Sequence, residues 1–254
     1  MFALERQKRI LEILDIEGSV SVGKLALEFQ VTEETVRRDL EKLEQQEALQ
    51  RTHGGAIPIE ESTLEISLEK RKRINVESKQ KLAECAAQHI LPGDTIFLDA
   101  STTTFCIARA IKKMSNITVI TNSIRVIDEL SGCENIKLIA VGGLVSNNQS
   151  FIGNVAELNI ENNYFASKFF FSGKGVTESA GILDSNETEC AIKQKMMKNA
   201  KTKYFVCDKS KIGRVGFVKL ATFSEIDYFI TDAELEESYK KALEDAEVTL
   251  INAE

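Results

Sequence analysis

The stretch Thr32-Glu33-Glu34-Thr35-Val36-Arg37-Arg38-Asp39-Leu40 decides the N-terminal fold. Thr32 is a good N-cap, since its hydroxyl can accept from an amide of the first turn, and the sequence predicts a helix over 33–46. At about 100° per residue Val36, Leu40 and Leu43 fall on one side, and Glu34, Arg37, Arg38 and Glu41 on the other. Upstream, Ser21 caps a second helix whose Val22, Leu25, Ala26 and Phe29 follow i, i+3, i+4, i+7 spacing, and Gln30-Val31 is a short break. A first helix over 4–16 places Ile10, Ile13 and Leu14 on one face and stops near Gly18. Downstream, 48–57 is short and punctuated by Gly54-Gly55, and reads as a β-hairpin. No strand is expected before that hairpin.

Helix, helix, short turn, helix and hairpin make a winged helix-turn-helix over 1–57, whose third helix can enter a DNA major groove. Thr32, Glu34 and Thr35 stand at the start of that helix, where base edges are reached. Arg37 and Arg38 offer donors for guanine edges or phosphates, and Arg51 and His53 on the wing reach toward flanking backbone. The rival reading is a helical interaction module whose arginines only solvate a face. Residues 1–57 hold more acids than bases, so attraction to DNA has to come from local placement.

The 254 residues carry a net charge of −7, with 43% hydrophobic and 28% charged, a balance that excludes a wholly disordered chain and argues against one that coats nucleic acid without specificity. Apolar runs are far shorter than the roughly 20 residues of a membrane span, and the N-terminus turns charged at once, without an apolar signal core. The five cysteines (Cys85, Cys106, Cys133, Cys190, Cys207) are scattered without a Cys-x-x-Cys pair, as in a reducing cytoplasm. Neither a metal, a cofactor nor a membrane partner is expected.

Residues 58–76 are rich in Glu, Lys and Arg and read as a linker able to turn helical. From 77 to 254, helical segments alternate with short β-branched and aromatic runs, the grammar of an α/β domain with a largely parallel sheet covered on both faces. Ligands of such sheets collect at the carboxyl ends of strands. Three segments belong there. Asp99-Ala100-Ser101-Thr102-Thr103-Thr104 joins a strand to a helix N-terminus and offers amides and hydroxyls suited to phosphate. Gly142-Gly143 admits close backbone approach, and Ser172-Gly173-Lys174-Gly175 sets an ammonium after a strand end. Ordinary helix capping is the competing account of the Ser-Thr-Thr-Thr run.

The signature at 32–40, with Gly18-Ser-Val-Ser-Val-Gly-Lys-Leu-Ala26 before it and Arg51-Thr-His-Gly-Gly-Ala56 after it, closely resembles the DNA-binding signature of the DeoR family of bacterial transcriptional regulators. The resemblance covers nearly the whole chain. It implies a regulator, most often a repressor, whose C-terminal domain binds a phosphorylated sugar and looks like the ribose-5-phosphate isomerase and glucosamine-6-phosphate deaminase class of α/β folds. Asp99-x-Ser-Thr-Thr matches the family's sugar-phosphate loop, and Val141-Gly-Gly143 its next strand end. Gly175, Glu187 and Glu189 follow in order, and Asp208-Lys-Ser-Lys-Ile-Gly213 matches an Asp-x-Ser-Lys-Phe-Gly segment with Ile212 in place of the aromatic. On this footing Asp208, Lys211 and Glu187 join the candidate ligand residues. Arg71 and Lys79 match basic residues ahead of the effector domain, Lys79 as a ligand residue and Arg71 as a linker residue. Lys174 stands where the family often has Asp or Asn, so it meets either the phosphate or a neighbouring glutamate, Glu187 or Glu189.

The alternative is a sugar-phosphate isomerase-like enzyme with an accessory helical domain, with Asp99, Asp208 or Glu187 as base. An exposed arginine pair on a head helix has no use in such an enzyme, so the expected partners are a double-stranded operator, a phosphorylated sugar and a second or further copies of the chain, as dimer or tetramer.

Overall fold

The computed structural model describes residues 3–17, 19–46, 48–52, 54–57 and 68–253, and its packing divides the chain into two units, Met1–Leu64 and Glu65–Glu254. In the first unit α1 (Ala3–Glu17), β1 (Val20–Ser21), α2 (Val22–Phe29), α3 (Glu33–Gln45), β2 (Gln50–Thr52) and β3 (Gly55–Ile57) follow one another. The apolar faces read from the sequence close into one core of Ile10, Leu14, Leu25, Val36, Leu40 and Leu43, joined by Leu49 after α3. Ser21 and Thr32 both cap: their hydroxyls accept from the amides of Lys24 and Thr35. Gln30 takes a left-handed φ of 54°, and the Val31 amide donates to Ala26 O at 3.1 Å, which closes α2 and sets the turn into α3.

The hairpin is present, but a strand does precede it. β1 pairs antiparallel with β3, in the order β1-β3-β2, correcting the expectation that none would. Gly55 makes this possible, because a Cβ there would lie 1.8 Å from Val20 O. Within the signature, Asp39 turns inward and accepts from Arg6 Nε at 2.5 Å and Gln7 Nε2 at 3.0 Å, all three residues buried, so it ties α3 to α1.

The second unit begins with α4 (Leu68–Arg73) and α5 (Val76–Ala87), then β4 (Thr95–Leu98), α6 (Thr102–Ala110), β5 (Ile117–Thr121), α7 (Ile124–Leu130) and β6 (Ile136–Ala140). A small hairpin of β7 (Leu144–Val145) and β8 (Phe151–Ile152) leads to α8 (Asn154–Asn163) and β9 (Ala166–Phe171). There follow β10 (Gly175–Thr177), β11 (Gly181–Asp184), α9 (Glu187–Lys198), β12 (Ala200–Cys207), β13 (Val218–Ala221), β14 (Tyr228–Thr231), α10 (Glu237–Asp245) and β15 (Thr249–Asn252). Seven strands form one parallel sheet in the order β15-β14-β12-β9-β4-β5-β6. Both faces are covered, as expected of a parallel sheet. Ile96, Leu98, Phe170, Tyr204 and Ile230 pack under α5, α6 and α7, while Phe97, Phe169, Phe171, Phe205 and Phe229 pack under α8, α9 and α10. Phe170, Tyr204 and Tyr228 stack across neighbouring strands with centroids 4.5 Å apart.

The strand order positions the site. From β4 the chain proceeds outward through β5 and β6, then returns to lay β9 on β4's other side, so the order reverses between β4 and β9. A parallel sheet opens a crevice at such a switch point. Here the carboxyl ends deliver Asp99 and Ser172 side by side, the Ser172 amide donating to Asp99 Oδ2 at 3.2 Å. A separate antiparallel sheet, β10-β11-β13, brings the end of β11 to the same crevice. Of the stretch 58–76 read from the sequence as linker, 58–67 lie outside the described residues and 68–76 fold onto this unit: Leu68 is buried, and Asn75, left-handed at φ 52°, starts α5.

Candidate functional site

On the first unit, Thr32, Glu34, Arg37 and Arg38 are exposed along α3 and Thr35 is half-buried, its hydroxyl 2.9 Å from that of Thr32. Arg37 pairs with Glu33 at 2.9 Å and Arg38 lies 3.6 Å from Glu34, both one turn back and both in solvent. Such pairs contribute little and exchange readily for a stronger anion. Arg51 is exposed on β2, its amide held by Glu44 Oε1 at 2.9 Å. His53 lies outside the described residues. The face expected to read DNA is therefore outward and carries two guanidinium groups, each beside an exposed glutamate.

On the second unit a pocket opens at the β4/β9 crevice. Its walls include Ser101 and Thr102 at the start of α6, Lys79, Lys174 and Lys211, and Arg71. Helix geometry leaves the Thr102 and Thr103 amides without an intrahelical acceptor, whereas Ser101 Oγ accepts the Thr104 amide at 3.1 Å. Lys211 Nζ donates to Ser172 Oγ at 2.8 Å. Burial lowers its pKa, with the Asp208 carboxylate working against that shift. Lys79 is buried, donates to the carbonyls of Arg71 and Ile74 at 2.7 Å each, and has its pKa pushed down to about 8 by burial and by the Lys211 charge.

Beneath this rim lies a charge cluster that the sequence reading missed. Lys193 donates to Ser172 O at 2.7 Å and to Asp184 Oδ2 at 2.6 Å, and lies 3.0 Å from Asp99 Oδ2. Those three acceptors match its three protons. Burial works against its charge, yet the Asp184 and Asp99 carboxylates outweigh that and hold its pKa above the ordinary lysine range. Asp99 is likewise buried, but Lys193 with the hydroxyl of Thr104 and the amide of Ser101 keeps its carboxyl below the usual range. Glu189 faces the pocket from α9, hydrogen-bonded by Ser146 and Ser150, with burial raising its pKa.

Of the expected ligand residues, the pocket wall holds Lys79, Ser101, Thr102, Lys174 and Lys211. Asp99 and Thr104 lie under it, bonded to each other at 2.7 Å, and Thr103 is fully buried. Asp208 stands behind Lys211 and accepts from Asn75 Nδ2 at 2.8 Å. Gly142 and Gly143 take φ of 70° and 128° after β6, where Gly143 packs on Ile152 and Ala156 and not on the pocket wall. Gly175 abuts Arg214, so Gly173 occupies the wall instead. Glu187 is exposed in the first turn of α9, and Glu189 faces inward in its place. Arg71, expected as a linker residue, lines the pocket and donates to Asn148 Oδ1 at 2.6 Å. Asn148, Asp184 and Arg214 also line it, and their only sequence signal was a polar residue near a strand end.

Comparison with known proteins agrees with this division. Residues 6–62 match the DeoR-like helix-turn-helix domain, and 74–233 match the DeoR C terminal sensor domain. The uncharacterized HTH-type transcriptional regulator YulB of Bacillus subtilis is 41% identical over 249 residues, covering 98% of this chain and 96% of its own length. The L-fucose operon activator of Haemophilus influenzae is 31% identical, covering 97% and 98% respectively. Among solved structures, ribose 5-phosphate isomerase A of Methanocaldococcus jannaschii aligns with a TM-score of 0.41 at 16% identity, over 54% of this chain and 55% of that one. The chain belongs to the DeoR family of transcriptional regulators, and this sets aside the isomerase alternative. Its helix-turn-helix makes the first unit a DNA-binding head. Among the described residues no helix is long and apolar enough to cross a membrane.

Proposed function

We propose that this protein represses a carbohydrate-utilisation operon and leaves its operator when a phosphorylated sugar binds the second unit. One observation supports the effector class above others. Lys79, Lys211 and Arg71 converge with the open N-terminus of α6 on one pocket, where Ser101 and Thr102 add hydroxyls. A phosphate monoester has the charge and the acceptor oxygens for this set, and Glu189 and Asn148 across the pocket suit sugar hydroxyls. Arg37, Arg38, Thr32, Glu34 and Thr35 form the reading surface, with Arg51 and His53 on the wing, and two or more copies present paired heads to repeated half-sites. The ligand shifts the operator equilibrium only by its affinity difference between the two arrangements, about 1.4 kcal/mol per tenfold. The family lean is to repression, although the fucose relative is named an activator. The test is a mobility shift on the promoter nearest the coding sequence, run against sugar phosphates and their unphosphorylated parents. Retention of DNA that only a phosphorylated sugar releases is expected. Binding that a sugar phosphate strengthens reverses the sign, and indifference to the whole panel refutes the effector class.

A further inference from the structure

The corner between α4 and α5 joins the pocket to the chain that runs back to the winged helix. Arg71 and Lys79 both line the pocket, and both belong to this corner. Lys79 donates to the carbonyls of Arg71 and Ile74 at the end of α4, while Arg71 reaches Asn148 across the pocket. Asn75, held left-handed between the two helices, donates to Asp208 Oδ1 and Ser210 Oγ at 2.8 Å each, beside Lys211. Thus 68–79 is fastened to the rest of the unit at two points, Arg71 on Asn148 and Asn75 on Asp208 and Ser210, while Lys79 braces the corner from within and shares the pocket with Arg71 and Lys211.

Positive charge gathers at this corner, where Arg71, Lys79 and Lys211 line one pocket. Burial and the charges of Lys211 and Arg71 disfavour the charge on Lys79, with Asp208 and Cys106 opposing them; its hydrogen-bond acceptors are backbone carbonyls, and Asp208 also serves Asn75. An anion among Arg71, Lys79 and Lys211 replaces repulsion with charge-assisted hydrogen bonds. We propose that 68–79 is an anion-dependent clasp: a phosphorylated ligand bridges Arg71, Lys79 and Lys211, locks α4 onto the effector unit, and so signals occupancy to the preceding chain. This rests on the reading that the pocket takes a phosphorylated ligand, and adds which segment senses it.

The sequence supplies a direct probe. Residues 52–69 contain no lysine or arginine, whereas Lys70-Arg71-Lys72-Arg73 are consecutive, so after Arg51 the next tryptic bonds lie in α4. A protease cuts a helix when it opens locally, so the cutting rate reports the clasp. The full-length chain is digested briefly with trypsin, with and without saturating glucose 6-phosphate, fructose 1-phosphate or inorganic phosphate, and fragments are weighed. Calorimetry on the same samples measures binding. Cleavage at 70–73 is expected to slow about tenfold or more for each probe that binds. Asn75→Gly, which keeps the left-handed backbone and removes one fastening, is expected to cleave faster without ligand, and Lys79→Gln to lose the protection. Unchanged cleavage at 70–73 with calorimetrically bound ligand overturns the clasp and leaves the effector reading standing. Equal protection in Lys79→Gln overturns it too. Absence of binding by every probe overturns both.

Discussion

Lys193 Nζ stands 3.0 Å from Asp99 Oδ2, an ion pair enclosed at the switch point where β4 and β9 end. With Asp184 and Ser172 O as its other partners, Lys193 has no proton left for a ligand. It joins three chain segments, β4, β9 and β11, through one nitrogen, and the rim residues Ser101 and Lys211 are placed by what it holds.

Lys193→Met removes the cation from two carboxylates, Asp99 and Asp184, both buried. Breaking a buried pair from one side costs roughly 3–5 kcal/mol, because charge is left uncompensated. Urea unfolding is expected to show a loss of that order in the second unit. A loss below about 1 kcal/mol contradicts the keystone role.

Ligand binding is expected to take up a proton near pH 8.5. Lys79 titrates at about 8 because it is buried and faces Lys211 and Arg71, with Asp208 and Cys106 opposing them. An anion raises that value toward the ordinary lysine range, while a phosphate monoester, with a second pKa near 6, is already dianionic. In the free protein the lowered value disfavours folding fully below pH 8, and that penalty is relieved as pH rises from about 8 toward the unfolded value of 10.5. Affinity for the ligand accordingly falls as pH passes 8. Calorimetry at pH 8.5 in two buffers of different ionisation enthalpy checks the uptake, which Lys79→Gln is expected to abolish.

Arg37→Ala is expected to weaken operator binding by 1–3 kcal/mol, roughly 5- to 150-fold, if the guanidinium reads a base. It is expected to lower the salt slope by about one if it meets a phosphate. Its partner in the free protein is the exposed Glu33, so stability and effector affinity stay close to wild type. Anisotropy titrations at several salt concentrations separate the two cases. Equal damage to effector binding argues against independent sites.

Gly55→Ala forces a methyl group to within 1.8 Å of Val20 O and separates β1 from β3. Overpacking of this kind costs on the order of 1–3 kcal/mol. The head is expected to unfold at lower denaturant and to lose DNA affinity, with effector binding unchanged.

Much of this was legible in the sequence because it is local. The caps at Ser21 and Thr32, the faces of α2 and α3 and the phosphate-type loop after β4 are written in neighbouring residues. What was hidden depends on distant partners. β1 is two residues long and exists only because Gly55 admits it. Lys193 sits mid-helix, where a lysine ordinarily reads as solvated, and its carboxylates come from other segments. The signal for it is Asp99, which directly follows a buried apolar strand and needs a cation. Arg71 reads as a linker residue because 58–76 is a charged stretch, yet the buried Leu68 pins α4 to the effector unit.

The most direct test of the two-site account follows labelled operator DNA by anisotropy while sugar phosphates are titrated into wild type and into Thr102→Ala/Lys211→Ala. The account predicts that a phosphorylated sugar lowers wild-type affinity at least tenfold, that its unphosphorylated parent does nothing, and that the double variant keeps its DNA at every concentration. Release of the double variant at the wild-type midpoint, or release by the parent sugar, would contradict it.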